Sequence, residues 1–308
     1  MGLCFVCGAL RSGTTLLRLM LDHHPKISNP GEVDFLFDYW DPRGEGGGSN
    51  LDVERLLNDR IFQSYDLALP SADSDLEILQ SLAAQMSTNK PWLTLNTHRH
   101  FEKIPVVFPG AKYIHLLRDP RAVAVSSIGM GWAGNAYYGV DHWIDSERSF
   151  GRLREIVSAD LIEEIRYDDL VIDAPGNLRR LCGFLNVDYD ERMLQYPEDS
   201  TYGLPNARSL ERWKDVVPTR QLEVLEGKLG AMLDSSGYAH MAAKVRKPNP
   251  AERVLLSLDN RYKRIRFNVR RYGAFLTISE QLTRWLRLKT LNGLIRRKID
   301  RIIVAHLR

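Results

Sequence analysis

Little in this chain could pin it together covalently or fix it across a bilayer. Three of its 308 residues are cysteine, too few for a disulfide framework. Cys4 and Cys7 spell C-x-x-C, yet strand positions three apart face opposite sides of a sheet, so both are expected as small core residues. No stretch reaches the ~18 uncharged apolar residues a membrane span needs. There is no internal repeat, and no His/Cys/Asp cluster at metal-ligand spacing, so no metal is expected. Net charge is also small, a formal +3, but it is unevenly placed. Residues 244–308 carry 18 Lys/Arg against 4 Asp/Glu, whereas residues 1–243 carry 24 against 35. The acidic body argues against nucleic acid as a partner.

With 44% apolar residues the chain can bury one large core and leave a small second region. The division is expected at a domain over 1–243 and a basic amphipathic helical extension over 244–308. A strand predicted from residue 3 leaves no room for a signal peptide or N-terminal anchor, and a cytoplasmic location is expected. Val6 stands where a myristoylation signal needs Ser or Thr, so Gly2 is expected to be unmodified.

Apolar runs and breakers give the order of elements. Residues 3–7 read as a buried strand, "GALRSGTT" (8–15) as a loop, and Thr14 to Asp22 as a helix ending before His24-Pro25. The rhythm returns in "AKYIHLL" as strand, Arg118-Asp119-Pro120 as turn and "RAVAVSSI" as helix. "LIEEIRY" is another strand, followed by helical spacing in "NLRRLCGFLNV". Alternating strands and helices imply an α/β fold with a parallel sheet flanked by helices. Two glycine-rich stretches, 41–50 and 129–139, read as mobile loops; the second carries Trp132, Tyr137 and Tyr138, which suit either an acceptor lid or ordinary surface packing. Past "KPNP" near residue 245, Leu282, Trp285, Leu286, Ile295, Ile299, Ile302 and Ile303 could line one helical side opposite Arg284, Arg287, Arg297 and Arg301. Such helices would lie on an anionic membrane or pack against the body or another subunit.

The loop nearly spells the phosphate loop G-x-x-x-x-G-K-[ST], with Thr14 in the lysine position. Gly8 and Gly13 permit the tight turn, and Ser12, Gly13, Thr14 and Thr15 aim amide N–H groups from a helix N-terminus at an anion. Without the lysine, hydrolysis of a triphosphate is disfavoured. Arg11 supplies a fixed charge with forked donors instead. A second anion site is expected where Arg118, ending a strand, and Ser126, two helical turns on, converge at the carboxyl edge of the sheet.

Together these stretches resemble the sulfotransferases that use 3′-phosphoadenosine 5′-phosphosulfate as donor. The resemblance covers roughly residues 3–240, including "LDHHP", "GE" at 31–32, "RYDDLV" at 166–171 and "RSLERWKDVVP" at 208–218. It implies a P-loop-like α/β domain, no metal, a 5′-phosphosulfate held by the "RSGTT" loop and a 3′-phosphate held by Arg118 and Ser126. Arg11 looks like the arginine of the tyrosylprotein and bacterial carbohydrate branches and would neutralise charge on the leaving phosphate. The proton acceptor has two candidates: His98, in a Thr-His resembling that of the cytosolic enzymes, and Glu32, in a Gly-Glu resembling the other branch. Glu32 would need its pKa raised by burial; Asp34 and His100 stand behind these two. Asn96 replaces a lysine that contacts the sulfonyl group, a loss that Arg11 or Arg99 would cover. Tyr167 is expected near the adenosine and Arg208 over the 3′-phosphate; the adenine-stacking tryptophan has no counterpart at Leu16. The reaction implied is sulfonyl transfer to a hydroxyl of a glycan, lipid-linked, natural-product or small-molecule acceptor, releasing adenosine 3′,5′-bisphosphate. A magnesium-dependent P-loop kinase and a non-catalytic nucleotide-binding scaffold that recruits partners through its tail are the rival readings, and the chain could form a homo-oligomer.

Overall fold

A computed structural model describes residues 1–43, 50–203, 207, 210–288, 291–296, 298–299 and 302. Its main sheet holds β1 (Gly2–Cys7), β2 (Ile27–Ser28), β5 (Trp92–Thr97), β6 (Lys112–Leu117) and β7 (Ile162–Arg166). The order is β2-β5-β1-β6-β7, and every pairing is parallel. Two further short strands, β3 (Trp40–Asp41) and β4 (Asn50–Leu51), form a separate antiparallel ribbon. Past their first one or two residues β1, β5 and β6 are buried on both faces, which is why β1 reads as an apolar run rather than an alternation.

Strand β1 divides the core into two layers. Phe5 and Cys7 join Phe37, Phe108 and Tyr113 on one face; Cys4 and Val6 join Leu17, Met20 and Ile114 on the other. Cys4 and Cys7 thus point apart, as the strand period requires. Both thiols and that of Cys182 are free and buried, and burial pushes the Cys182 thiol up to about 11.

Helix α1 (Thr14–Asp22) covers the second layer through Leu16, Leu17, Met20 and Leu21. It opens on Gly13 at φ 94° and closes at His23, whose Nδ1 donates to the Leu19 carbonyl at 2.8 Å. The later helices sit where the sequence indicates them, at Pro120–Gly129 and Ala174–Phe184.

The chain divides into two compact units, one of residues 1–123 and 142–214, the other of residues 124–141 and 215–308. The expected boundary at 243/244 therefore falls inside the second unit. Arg246 pairs with Glu223 at 2.9 Å and Glu252 at 2.7 Å, and Asn249 and Glu252 form a capping box that starts the helix Pro250–Tyr272. The stretch 129–139, expected as a mobile loop, is held in place. Asn135 caps the short helix Ala136–Gly139 and donates to Asp259 Oδ2 and the Leu256 carbonyl, both at 2.9 Å. Gly134 N–H donates to Asn260 Oδ1 at 2.7 Å. The helix Ala274–Trp285 follows, and no described helix is long and apolar enough to cross a membrane. Most of the glycine run at 41–50, together with Ile303, Arg297 and Arg301, lies outside the described residues.

Candidate active site

In an open parallel sheet the carboxyl ends of the strands share one edge, so the residues that follow each strand gather there. After β1 comes the loop ending at Gly13, after β5 His98, after β6 Arg118 and after β7 Tyr167. Glu32 reaches the same edge differently. Beyond β2, the chain at Gly31–Val33 continues alongside β5: Asn96 N–H donates to the Gly31 carbonyl at 2.9 Å and Val33 N–H to the Asn96 carbonyl at 2.8 Å. This bridge pairs Glu32 with Asn96 and sets the carboxylate beside the residue two places further on.

That residue is His98. Its Nδ1–H donates to the Gly8 carbonyl at 3.0 Å, which turns Nε2 towards Glu32 Oε1, 3.4 Å away at ion-pair distance. Nε2 is buried and has no aligned hydrogen-bond partner. The His98 side chain is 1% exposed and that of Glu32 38%, so the carboxylate is the half of the pair that faces outward. Burial alone would lower the His98 pKa, but Asp34 and Glu32 together outweigh it and the net direction is up. Glu32 moves the other way: the His98 imidazole at ion-pair distance lowers it, aided by Arg18 and Arg60, against the upward push of burial. The rise by burial that a glutamate base would need is thus not what Glu32 has, because the neighbouring imidazole outweighs burial.

Asp34 serves the pair from behind. Its Oδ1 accepts from the His98 backbone N–H at 2.8 Å and from the Thr97 hydroxyl at 3.1 Å, and Arg99 lies 3.7 Å from Oδ2. Folding brings ligand-type atoms of Glu32, Asp34 and His98 within 4.8 Å of one another, a cluster that linear spacing concealed. Three of its atoms, Asp34 Oδ1, Asp34 Oδ2 and His98 Nδ1, already face protein partners, so the donor set does not fit a metal better than it fits these contacts. Arg99 is committed as well, held by both oxygens of Asp38, and does not stand in for the missing lysine. His100 faces the same Asp38 at 3.5 Å, and burial with Lys103 lowers its pKa.

The loop carries the geometry of an anion cradle. Arg11 and Gly13 have φ of 73° and 94°, left-handed positions that turn successive N–H groups inward, and no side chain caps the α1 N-terminus. Ser12 Oγ is buried without a hydrogen-bond partner. Thr14 does not replace a phosphate-binding lysine in kind: it is 4% exposed, and its carbonyl accepts from Asn96 Nδ2 at 3.1 Å. Asn96 in turn accepts from Asn29 Nδ2 at 2.9 Å. Where the resemblance sets a lysine, this chain uses a buried amide to tie α1 to β5, an arrangement that the isolated letters N29 and N96 do not signal.

Arg118 joins the cradle, donating from Nη1 to the Arg11 carbonyl at 2.7 Å, with its guanidinium 4.2 Å from the centre of the Tyr167 ring. Tyr167 lies so close to the loop that a Cβ on Gly13 would meet its ring at 2.2 Å. His142 also reaches the loop, donating from Nε2 to the Leu10 carbonyl at 3.1 Å; nothing in its sequence surroundings marks it out. Ser126 sits half-buried in the helix Pro120–Gly129, within the second unit. Arg208 lies outside the described residues.

A model of the sulfotransferase family matches residues 4–191. Protein-tyrosine sulfotransferase A of Caenorhabditis elegans is 23% identical over 281 residues, covering 84% of this chain and 73% of that protein. The omega-hydroxy-beta-dihydromenaquinone-9 sulfotransferase Stf3 of Mycobacterium bovis is 29% identical over 162 residues, 47% of this chain and 40% of that protein. The solved sulfotransferase domain from the curacin biosynthetic pathway shares the fold, with a TM-score of 0.56 and 21% identity over 77% of this chain and 98% of that domain.

Proposed function

The chain belongs to the sulfotransferase family and moves a sulfonyl group from 3′-phosphoadenosine 5′-phosphosulfate to a hydroxyl, and we propose that Glu32 takes the hydroxyl's proton. The Glu32–His98 pair carries this reading. The carboxylate is the exposed member, and His98, buried and anchored at Nδ1, keeps it ionised. As the new S–O bond forms, the attacking hydroxyl becomes strongly acidic, so a carboxylate below its ordinary pKa still accepts the proton. His98 is then a positioning residue, in place of the direct base its Thr-His context suggests.

The residues fit the donor. An uncapped helix N-terminus, the inward-turned loop amides and the unpartnered Ser12 hydroxyl suit a phosphosulfate. Arg11 supplies charge at the leaving oxygen, and Arg118, which donates to the Arg11 carbonyl at 2.7 Å, is assigned to the 3′-phosphate.

We place the acceptor among glycans, lipid-linked alcohols and natural products. Likeness to a relative named for a hydroxylated menaquinone and to tyrosylprotein enzymes supports a hydroxyl on a larger molecule. A reducing, cytoplasmic setting fits three buried free thiols.

Thermal unfolding with adenosine 3′,5′-bisphosphate against ATP plus magnesium tests the donor assignment. The bisphosphate at ~100 times its dissociation constant is expected to add ~2.7 kcal/mol of stability. Preference for ATP plus magnesium would overturn it in favour of a kinase.

A further inference from the structure

The helices Pro250–Tyr272 and Ala274–Trp285 carry apolar stripes that are exposed. On Pro250–Tyr272, the side chains of Val254, Leu255, Leu258 and Tyr262 occupy one face roughly 100° wide, and each is more than half exposed. The docked face lies almost opposite: Asn260 and Leu256 bond the 134–135 segment, and Phe267 packs at Gly131. On Ala274–Trp285, Phe275, Ile278, Leu282 and Trp285 repeat at intervals of three, four and three residues as one stripe, with Phe275 80% and Trp285 78% exposed.

Charge frames these stripes. Residues 250–288 hold nine Lys/Arg against three Asp/Glu, and all three acids are paired: Glu252 with Arg246, Asp259 with Lys263 and Glu280 with Arg284. Arg261 and Arg266, both exposed, border the first stripe on either side.

We infer that these two helices lie in the surface of an anionic lipid bilayer, each with its apolar stripe at the acyl boundary and its arginines at the phosphates. Bulky apolar side chains ringed by arginine are what an interfacial helix needs, and neither helix can span. A second copy of the chain suits the face poorly, since each would bring a surplus of positive charge to the contact. Nucleic acid would use the arginines but leave eight large apolar side chains in water.

The test is flotation of the full chain with phosphatidylcholine vesicles, alone or with about one third phosphatidylglycerol. Partitioning is expected to rise roughly tenfold with the anionic lipid and to fall at high salt. The double variant Phe275→Ser/Trp285→Ser should partition roughly tenfold less. Arg261→Ala/Arg266→Ala should lose roughly fivefold per arginine on anionic vesicles only. Both should keep the wild-type thermal shift with adenosine 3′,5′-bisphosphate, showing an intact fold. Absent vesicle binding, or binding unchanged in Phe275→Ser/Trp285→Ser, would overturn the inference. So would a wild-type dimer, seen by sedimentation velocity, that this variant dissociates without any loss of lipid binding.

Discussion

Glu32 Oε1 and His98 Nε2 stand 3.4 Å apart, although 65 residues separate them and each alone resembles the proton acceptor of a different branch of one family. The structure makes them partners, one presented to solvent and one buried behind it. Removing either should therefore have a different consequence.

Glu32→Gln keeps the shape and removes the proton acceptor, so kcat should drop by ~10² to 10⁴ while adenosine 3′,5′-bisphosphate binds as before. His98→Asn should cost less in kcat and shift the acid limb of the rate profile upward, because Glu32 loses the neighbour that lowers its pKa. Near-wild-type turnover by Glu32→Gln would remove the assignment.

The same pair should shape stability against pH. Glu32 is depressed below the ordinary 4.5, so its contribution is present above that value and fades as pH falls through the lower folded one. His98 is raised above the ordinary 6.5, so its contribution is present below that value and fades as pH rises through the higher folded one. The coupling between Glu32→Gln and His98→Asn, read from urea midpoints in a double-mutant cycle, should be largest between those two values and shrink on either side.

Gly13→Ala places a methyl into the Tyr167 ring at a positive φ. A loss of ~1–3 kcal/mol is expected from strain alone, with weaker bisphosphate binding. Adding Tyr167→Ala should recover part of the stability by removing the clash and leave the backbone strain. Strictly additive losses would show that the ring does not press on the loop.

Asn96→Leu strands the Asn29 amide and removes the side-chain donor to the Thr14 carbonyl. A buried group left unpaired costs ~1–3 kcal/mol, so chemical denaturation should show a clear fall in stability. Binding of the bisphosphate should weaken with it, because the first turn of α1 loses its tether to β5.

A second buried histidine offers an independent check. His115 is stacked on Phe150 at 3.7 Å and held between Glu164 at 2.9 Å and Glu147 at 3.2 Å. Burial alone would lower its pKa, but the two carboxylates raise it, and Glu164 falls to about 2. Stability from the imidazolium should be lost as pH rises through the raised value. The urea midpoint should thus decline as pH rises above the ordinary 6.5 and through the raised value, and His115→Asn should flatten that decline.

Much of this was legible because the relevant signals are local. The Thr14–Asp22 helix, the strands around Cys4 to Cys7 and Lys112 to Leu117, and the loop between them follow from apolar runs, glycines and a proline read over a few residues. The pairing of Glu32 with His98 was not, since it depends on 31–33 joining the edge of β5. Asn29 with Asn96, and Arg99 with Asp38, were hidden for the same reason. The 129–139 stretch is ambiguous in sequence because glycine is common both in mobile loops and where backbone must pack closely, and Gly131 and Gly134 serve the second purpose.

The short continuation of the sheet at Gly31–Val33 makes proton transfer sensitive to counting. Side chains along extended backbone alternate between faces, so one residue inserted between Pro30 and Val33 would turn the carboxylate towards the opposite layer while disturbing little else. Homologous sequences could vary freely in the loops on either side, yet the distance in residues from Ile27 to Glu32 would have to stay constant for the chemistry to survive.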